Sequence, residues 1–314
     1  MRQTLWHLGF LVALSNARKA DVLLIIVTLL AALSWLFSKE AVGLMPPLLF
    51  MAVRFTLAGI VLALWGLPQL LALNALQWRR GLRVGLCFGA GMSLWIMGLF
   101  RGTHVGEGAF LTSLGVVLVP VISRLVFGER APLSTWLALP VAAAGLALLS
   151  LQEGFTLASG QLFYVGAAVL FALYYTLNTR AANHREAALG DVVTKVPALP
   201  LTAVVLLTVG ALTTGLSAFY EPWLPTVQAI SSEMVAWVLA SALLGSAARF
   251  LIQTYAQSLS AHSNGVIIMI VEPVWTASLA AFWLGERMSP QQLFGCAVIL
   301  LALLVSRAWP QTSA

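Results

Sequence analysis

Along this chain, apolar runs of about twenty residues end in a short turn and begin again, which is the length an α-helix needs to cross hydrocarbon. No other feature restricts the fold so strongly. Inside a bilayer every backbone N–H and C=O must be satisfied within the segment, so each run has to be a helix. Ten spans are read: 21–38, 47–66, 82–100, 107–127, 133–151, 161–179, 197–216, 235–257, 265–284 and 291–308. Charged residues make up 9% of the 314, against about 25% in a soluble domain. The longest connections, 67–81, 180–196 and 217–234, are too short for a soluble domain. The expected fold class is an all-α integral membrane protein with ten transmembrane helices.

The net charge of +6 could point to nucleic acid, but its distribution speaks for topology. With the amino terminus in the cytoplasm, cytoplasmic segments hold Arg2, Arg18, Lys19, Arg79, Arg80, Arg83, Arg124, Arg130, Arg180, Arg185, Lys195 and Arg307. The outer segments hold Lys39, Arg101 and Arg287. That asymmetry is the positive-inside pattern and places both termini in the cytoplasm. The expected location is the cytoplasmic (inner) membrane, with no nucleic-acid partner. Cys87 and Cys296 fall inside spans without metal or disulfide spacing, and His7, His104, His184 and His262 are scattered. No metal and no cofactor is expected. The start, "RQTLWHLGFLVAL", resembles a signal peptide, but Arg18 and Lys19 stand where small cleavage-site residues belong. Residues 4–14 are therefore read as a retained interfacial helix with Trp6 at headgroup depth.

The chain repeats itself. "LVFGERAPLSTWLALPVAAAGLALLS" (125–150) aligns with "FWLGERMSPQQLFGCAVILLALLVS" (282–306), so Gly128-Glu129-Arg130 recurs 157 residues later as Gly285-Glu286-Arg287. Five spans per half is an odd number, so the second copy must insert upside down. The predicted organisation is a cytoplasmic segment at 1–20, a first five-helix repeat at 21–155 and an inverted second at 156–310. Inverted repeats are a common transporter architecture, with the substrate site at the interface between them. The GER turns themselves read as helix ends, with Gly as the cap and Arg at the negative end of the dipole.

"EPVWTASLAAFWLGERMSPQQLFGCAVILLALL" resembles the closing helices of the EamA family of the drug/metabolite transporter superfamily. So do "LSWLFSKEAV" in the first span, "RF" at Arg54-Phe55, "GAFLTSLGVVLVPVI" in the fourth and "LFALYYTLNTR" in the sixth. The resemblance covers nearly everything after the first 20 residues. It implies ten helices in two inverted repeats around a cavity lined mainly by helices 1, 3, 4, 6, 8 and 9, and commonly metabolite export. It names no substrate.

Within that frame Glu272 stands out, near the middle of a span where a charge costs roughly 3 kcal/mol on insertion scales. Pro273 follows it, and Pro120 occupies helix 4, the equivalent helix of the other half. Each Pro frees the carbonyl four residues earlier, at Met269 and Val116. Paired interruptions of this kind mark transporter sites, although a lone Pro is ordinary in a membrane helix. The 157-residue offset puts Gly115 opposite Glu272, so helix 4 has no matching acid.

Helix 8 places Ser246, Arg249, Gln253 and Gln257 in one polar stripe, which lipid cannot satisfy. Counting inward, Arg249 lies ~12 Å and Glu272 ~10 Å from the cytoplasmic ends of their spans, at similar depth. Arg54 lies nearer the other face and is not expected to partner Glu272. Tyr174 and Asn178 share a face of helix 6, Thr112 belongs to helix 4, and Trp35, Trp95 and Trp275 lie within spans. Large rings more often fill cores than bind ligands, and Gly81, Gly85 and Gly89 read as a close-packing ridge on helix 3.

The candidate substrate-binding set is thus Trp35, Trp95, Thr112, Tyr174, Asn178, Arg249, Gln253, Glu272 and Trp275, with helix kinks at Pro120 and Pro273. No catalytic motif is present in the sequence, which reads as no enzyme. A pore would use rings of like charge or carbonyls. The expectation is a permease, an exporter by the resemblance, moving a small organic metabolite by alternating access. A zwitterion such as an amino acid would meet Arg249 with its carboxylate and Glu272 with its ammonium. Glu272 could also carry a coupling proton. The alternatives are efflux of lipophilic cationic drugs and a structural membrane protein that transports nothing. Oligomeric state is not legible.

Overall fold

The computed structural model describes residues 15–101, 105–129, 131–150, 159–183, 186–188, 191–193, 195–259, 263–284 and 289–308. The expected interfacial helix at 4–14, Arg130, the second GER turn at Gly285-Glu286-Arg287, Trp309 and the four His lie outside these residues. The long helices are α1 (Asn16–Leu44), α2 (Pro47–Trp65), α3 (Ala75–Arg101), α4 (Val105–Phe127) and α5 (Leu133–Ser150), then α6 (Ser159–Asn183), α7 (Ala198–Tyr220), α8 (Ser232–Ser258), α9 (Glu272–Leu284) and α10 (Pro290–Ala308). Six of them, α1, α2, α3, α6, α7 and α8, are long and apolar enough to cross a membrane. Shorter apolar helices run over Leu111–Phe127, Leu133–Leu148, Ile267–Trp283 and Leu293–Val305. Strands β1 (Glu186–Ala188) and β2 (Asp191–Val193) pair antiparallel in the connection between α6 and α7, a small departure from the all-helical expectation.

Local chemistry sets the helix ends. α1 begins five residues before the apolar run expected at 21, because the Ser15 hydroxyl accepts the N–H of Arg18 at 3.4 Å and caps the helix. α2 starts at Pro47 after Pro46, which has no capping side chain. Its exposed N–H groups are taken from another helix: the Glu221 carboxylate, just past α7, accepts Leu48 N–H at 2.8 Å and Leu49 N–H at 2.7 Å. A negative charge at a helix N-terminus is favourable, and this one pins α2 to α7. After α4, Gly128 turns left-handed at φ 69°, with its N–H on the Arg124 carbonyl and that of Glu129 on the Ser123 carbonyl. This is the glycine cap expected of the GER turn. Glu129 itself reaches Arg180 near the end of α6, at 2.9 Å.

Two helices of the second half depart from regular α geometry. α8 contains a π-helical turn at Leu243–Ala248, and α9 is preceded by a 3-10 helix at Ser263–Val271. Both forms recur at functional sites and hinges.

Many helix partnerships come in pairs, although the α6–α8 contact has no counterpart of similar extent between α1 and α3. α2 packs on α7, α5 on α10, and α4 on α9 with its 3-10 lead. α3 packs on α6 and α1 on α8; α4 on α6 and α1 on α9; α3 on α7 and α2 on α8. Exchanging each helix with the one five places away returns the same set. The glycine ridge of α3 lies against α7: a Cβ at Gly81 would stand 2.8 Å from Val204, and one at Gly85 2.5 Å from Thr208. Small residues let backbones approach where lipid supplies no hydrophobic drive between helices.

Candidate functional site

α1, α3, α4, α6, α8 and α9 meet around a cavity of about 40 Å³, to which α2 adds Arg54. That is room for about three waters. Its apolar wall includes Trp35, Phe88 and Trp95, with Trp35 and Trp95 edge to face at 4.7 Å. Thr112 and Ser113 of α4 add hydroxyls; Thr112 donates back to the Gly108 carbonyl one turn earlier.

The charged groups converge from separate helices. Glu272, at the junction of the 3-10 and α segments, accepts the Trp35 indole N–H at 2.9 Å on one oxygen. Its other oxygen faces Arg249 Nη2 at 3.4 Å. Both side chains are largely buried, at 16% and 11% exposure. The ion pair is long for a charge-assisted bond, which runs at about 2.7–2.9 Å. Arg249 Nε–H has no hydrogen-bond partner among the described residues.

Arg54 is the second cation, and it is completely buried. Its Nε donates to Ser246 at 2.6 Å, Nη1 to Ser38 at 2.9 Å, and Nη2 to Ser34 at 2.6 Å and to the Gly245 carbonyl at 3.0 Å. Every partner is neutral, so Arg54 is held by α1 and α8 without a carboxylate. The π-helical turn is what brings Ser246 and the Gly245 carbonyl there. Gly245 must also be glycine for the approach, since a Cβ would stand 2.8 Å from the Ser34 hydroxyl and 3.3 Å from Arg54 Nη2.

The same turn divides the polar stripe of α8. Ser246 goes to α2 and Arg249 to α9, while the next two members go to α6. Gln253 donates to the Tyr174 hydroxyl at 3.1 Å, and Gln257 accepts from Asn178, which also donates to Thr254 at 3.2 Å. The result is a buried amide seam between α6 and α8. Asn178 Oδ1, Gln253 Oε1 and Gln257 Nε2 have no partner within it.

The two prolines flank the cavity. Pro120 lies within α4, and Pro273 is the second residue of α9 rather than a kink in one continuous helix. The 3-10 segment carries the chain up to it, since Pro has neither the N–H nor the clearance for Met269 four residues back. Val116 and Met269, the two residues whose carbonyls the prolines forgo, both line the cavity.

Of the residues singled out from sequence, Trp35, Trp95, Thr112, Arg249 and Glu272 line this cavity. Tyr174, Asn178 and Gln253 are in the neighbouring seam, and Trp275 is half-buried with its indole N–H unpartnered among the described residues. On α6 it is Tyr175 that reaches the cavity, while Tyr174 stacks on Phe88 at 4.1 Å. Ser34, Ser113 and Tyr175 were not singled out, and Arg54 was named only as a buried charge not expected to partner Glu272. Only Arg54 carried a usable signal, as a charge within a span.

A bundle of helices, six of them long and apolar enough to cross a membrane, around an inner cavity with opposed charges is that of a multi-pass membrane protein. A profile of the EamA-like transporter family matches residues 18–151 and again 158–308, and the chain belongs to that family. It is 25% identical over 290 residues to an uncharacterized transporter of Archaeoglobus fulgidus, covering 91% of this chain and 85% of that protein. It is 26% identical over 298 residues to the uncharacterized transporter YwfM of Bacillus subtilis, covering 90% and 93%. A solved crystal structure shares the fold at a TM-score of 0.70 and 22% identity, over 91% of this chain and 96% of that one. The chain is therefore a membrane transporter.

Proposed function

We propose that the protein carries a small organic metabolite bearing both a carboxylate and an ammonium, an amino acid or a related zwitterion, by alternating access and outward across the cytoplasmic membrane. The observation that carries this reading is the loosely engaged pair of Arg249 and Glu272, 3.4 Å apart beside the cavity, with an Arg249 N–H left over. An acid and a base that hold each other weakly can each take a substrate group instead. A lipophilic cation is less well served, because two guanidiniums face one carboxylate.

The frame for this cycle is ten spans in two inverted repeats, 21–155 and 156–310, with both termini cytoplasmic. The twofold family match and the helix partnerships that survive exchange of the halves support it. A cavity of about 40 Å³ is too small for a metabolite, so helices must part to admit one. The α6–α8 seam is where they part: its unpartnered amide atoms gain water on opening, which lowers the cost of exposing it. Glu272 is the group that would carry a coupling proton.

The test is a metabolite-exchange screen in reconstituted vesicles. Amino acids should exchange, and Arg249→Gln should abolish that exchange while folded protein remains in the membrane. Amino-acid exchange undiminished in Arg249→Gln would remove Arg249 from the site. Exchange of lipophilic cations alone would favour drug efflux, and no exchange of any pool would favour a structural role.

A further inference from the structure

Resting on the reading of the cavity as the substrate site, we infer that Arg54 is its anion-binding pole, assisted by Arg249, and that the occupant must bring a carboxylate to it. Arg54 and Arg249 line one cavity with Glu272, two cations to one anion. Glu272 is already engaged by Arg249 and by the Trp35 N–H. Among the described residues Arg54 donates to three hydroxyls and one carbonyl, which take four of the five N–H donors of a guanidinium and leave one on Nη1. The Phe50 and Phe55 rings lie 5.7 and 5.2 Å from it, and no carboxylate among those residues is bonded to it. A buried cation with neutral partners alone is costly, and removing such charges is often stabilising. Tying α1, α2 and α8 together needs donors but no charge, so the charge points to an anion that arrives from outside.

The leftover Arg249 Nε–H is the second observation, because it is a buried donor beside the same cavity. Between them the two guanidiniums offer a carboxylate both charge and unused N–H groups, the geometry arginine provides for oxyanions. Glu272 then serves either as the seat for an ammonium or as the fixed anion that the substrate displaces from Arg249. In both cases the occupant brings a carboxylate. Arg54 therefore decides for substrates with a carboxylate and against amines that lack one.

Acetate, with four heavy atoms, is close in size to the cavity and makes a suitable probe, with methylammonium as its cationic counterpart. The full chain in lipid nanodiscs is titrated with each at constant ionic strength, following tryptophan emission, since Trp35 and Trp95 line the cavity. Acetate should give a saturable change and methylammonium none. Arg54→Met should raise the acetate half-saturation concentration by about tenfold or more, the scale of a charge-assisted hydrogen bond. Glu272→Gln, which removes the competing anion, should lower it several-fold. A response to methylammonium equal to that of acetate would overturn the inference, as would an unchanged acetate response in Arg54→Met. So would an effect that chloride reproduces at equal concentration. If Arg54→Met does not fold, wild type and Glu272→Gln decide: weaker acetate binding in Glu272→Gln refutes the assignment. Binding of acetate is read independently of exchange, so failure of the vesicle screen and failure of this inference remain distinct results.

Discussion

Breaking the Arg249–Glu272 pair from one side and then from both separates its architectural part from its part in transport. At 3.4 Å and an effective dielectric of 20, the gross attraction between the two charges is about 5 kcal/mol. Arg249→Met leaves the carboxylate with Trp35 as its one donor and should destabilise by about 3–5 kcal/mol, the usual cost of orphaning half of a buried pair. Glu272→Gln orphans Arg249 while keeping an oxygen for the indole N–H, and should cost somewhat less. The double variant has no charge left unpaired by the change, so its stability should return to within about 1 kcal/mol of wild type instead of showing the sum of the two single costs. Reversible unfolding in mixed micelles measures the stability side of the cycle, and vesicle exchange measures the transport side. Stability should recover in the double variant and transport should not, because the substrate has lost the charged contacts of Arg249 and Glu272 and Arg54 alone cannot replace them. Additive destabilisation would refute the coupling itself. Full recovery of transport would reduce the pair to a staple between helices.

A cysteine placed at Ser289 should label from outside and one at Ala131 from the cytoplasm, in a background lacking Cys87 and Cys296; labelling of both from one side would end the inverted-repeat reading. Gly210→Ala should cost about 1–3 kcal/mol, since its Cβ would stand 2.8 Å from the Thr56 backbone N across the α2–α7 contact. Gly215→Ala on the same helix meets nothing within 4 Å and should be neutral or stabilising by up to about 1 kcal/mol; equal effects in unfolding measurements would refute the close-packing account. Glu221→Ala should destabilise by about 2 kcal/mol in the same measurement, because Leu48 and Leu49 lose their shared acceptor; an unchanged midpoint would mean that water replaces it fully.

The class of the protein was legible because it depends on composition and run length, which solvent reads directly: a stretch that is apolar for twenty residues has one stable solution in lipid. A repeated motif was legible too, since Gly-Glu-Arg recurs 157 residues apart with a similar apolar run after it. Counting residues inward from the span ends was enough to put Arg249 and Glu272 at one depth, because the helical rise is constant. Direction around a helix axis is another matter. The stripe on α8 was expected to share one face, but the π-helical turn at Leu243–Ala248 rotates its first member toward Arg54. Arg54 was not expected to partner Glu272 and does not bond to it, yet it lines the same cavity, through partners on α1 and α8 that only the packing reveals. Tyr174 and Tyr175 are indistinguishable in a sequence, and only packing against Phe88 decides which ring turns to the seam and which to the cavity. Local sequence determined how deep each group lies, through hydropathy and helical rise; which neighbour it meets was decided by helices far apart in the chain, because azimuth shifts wherever the backbone departs from α geometry.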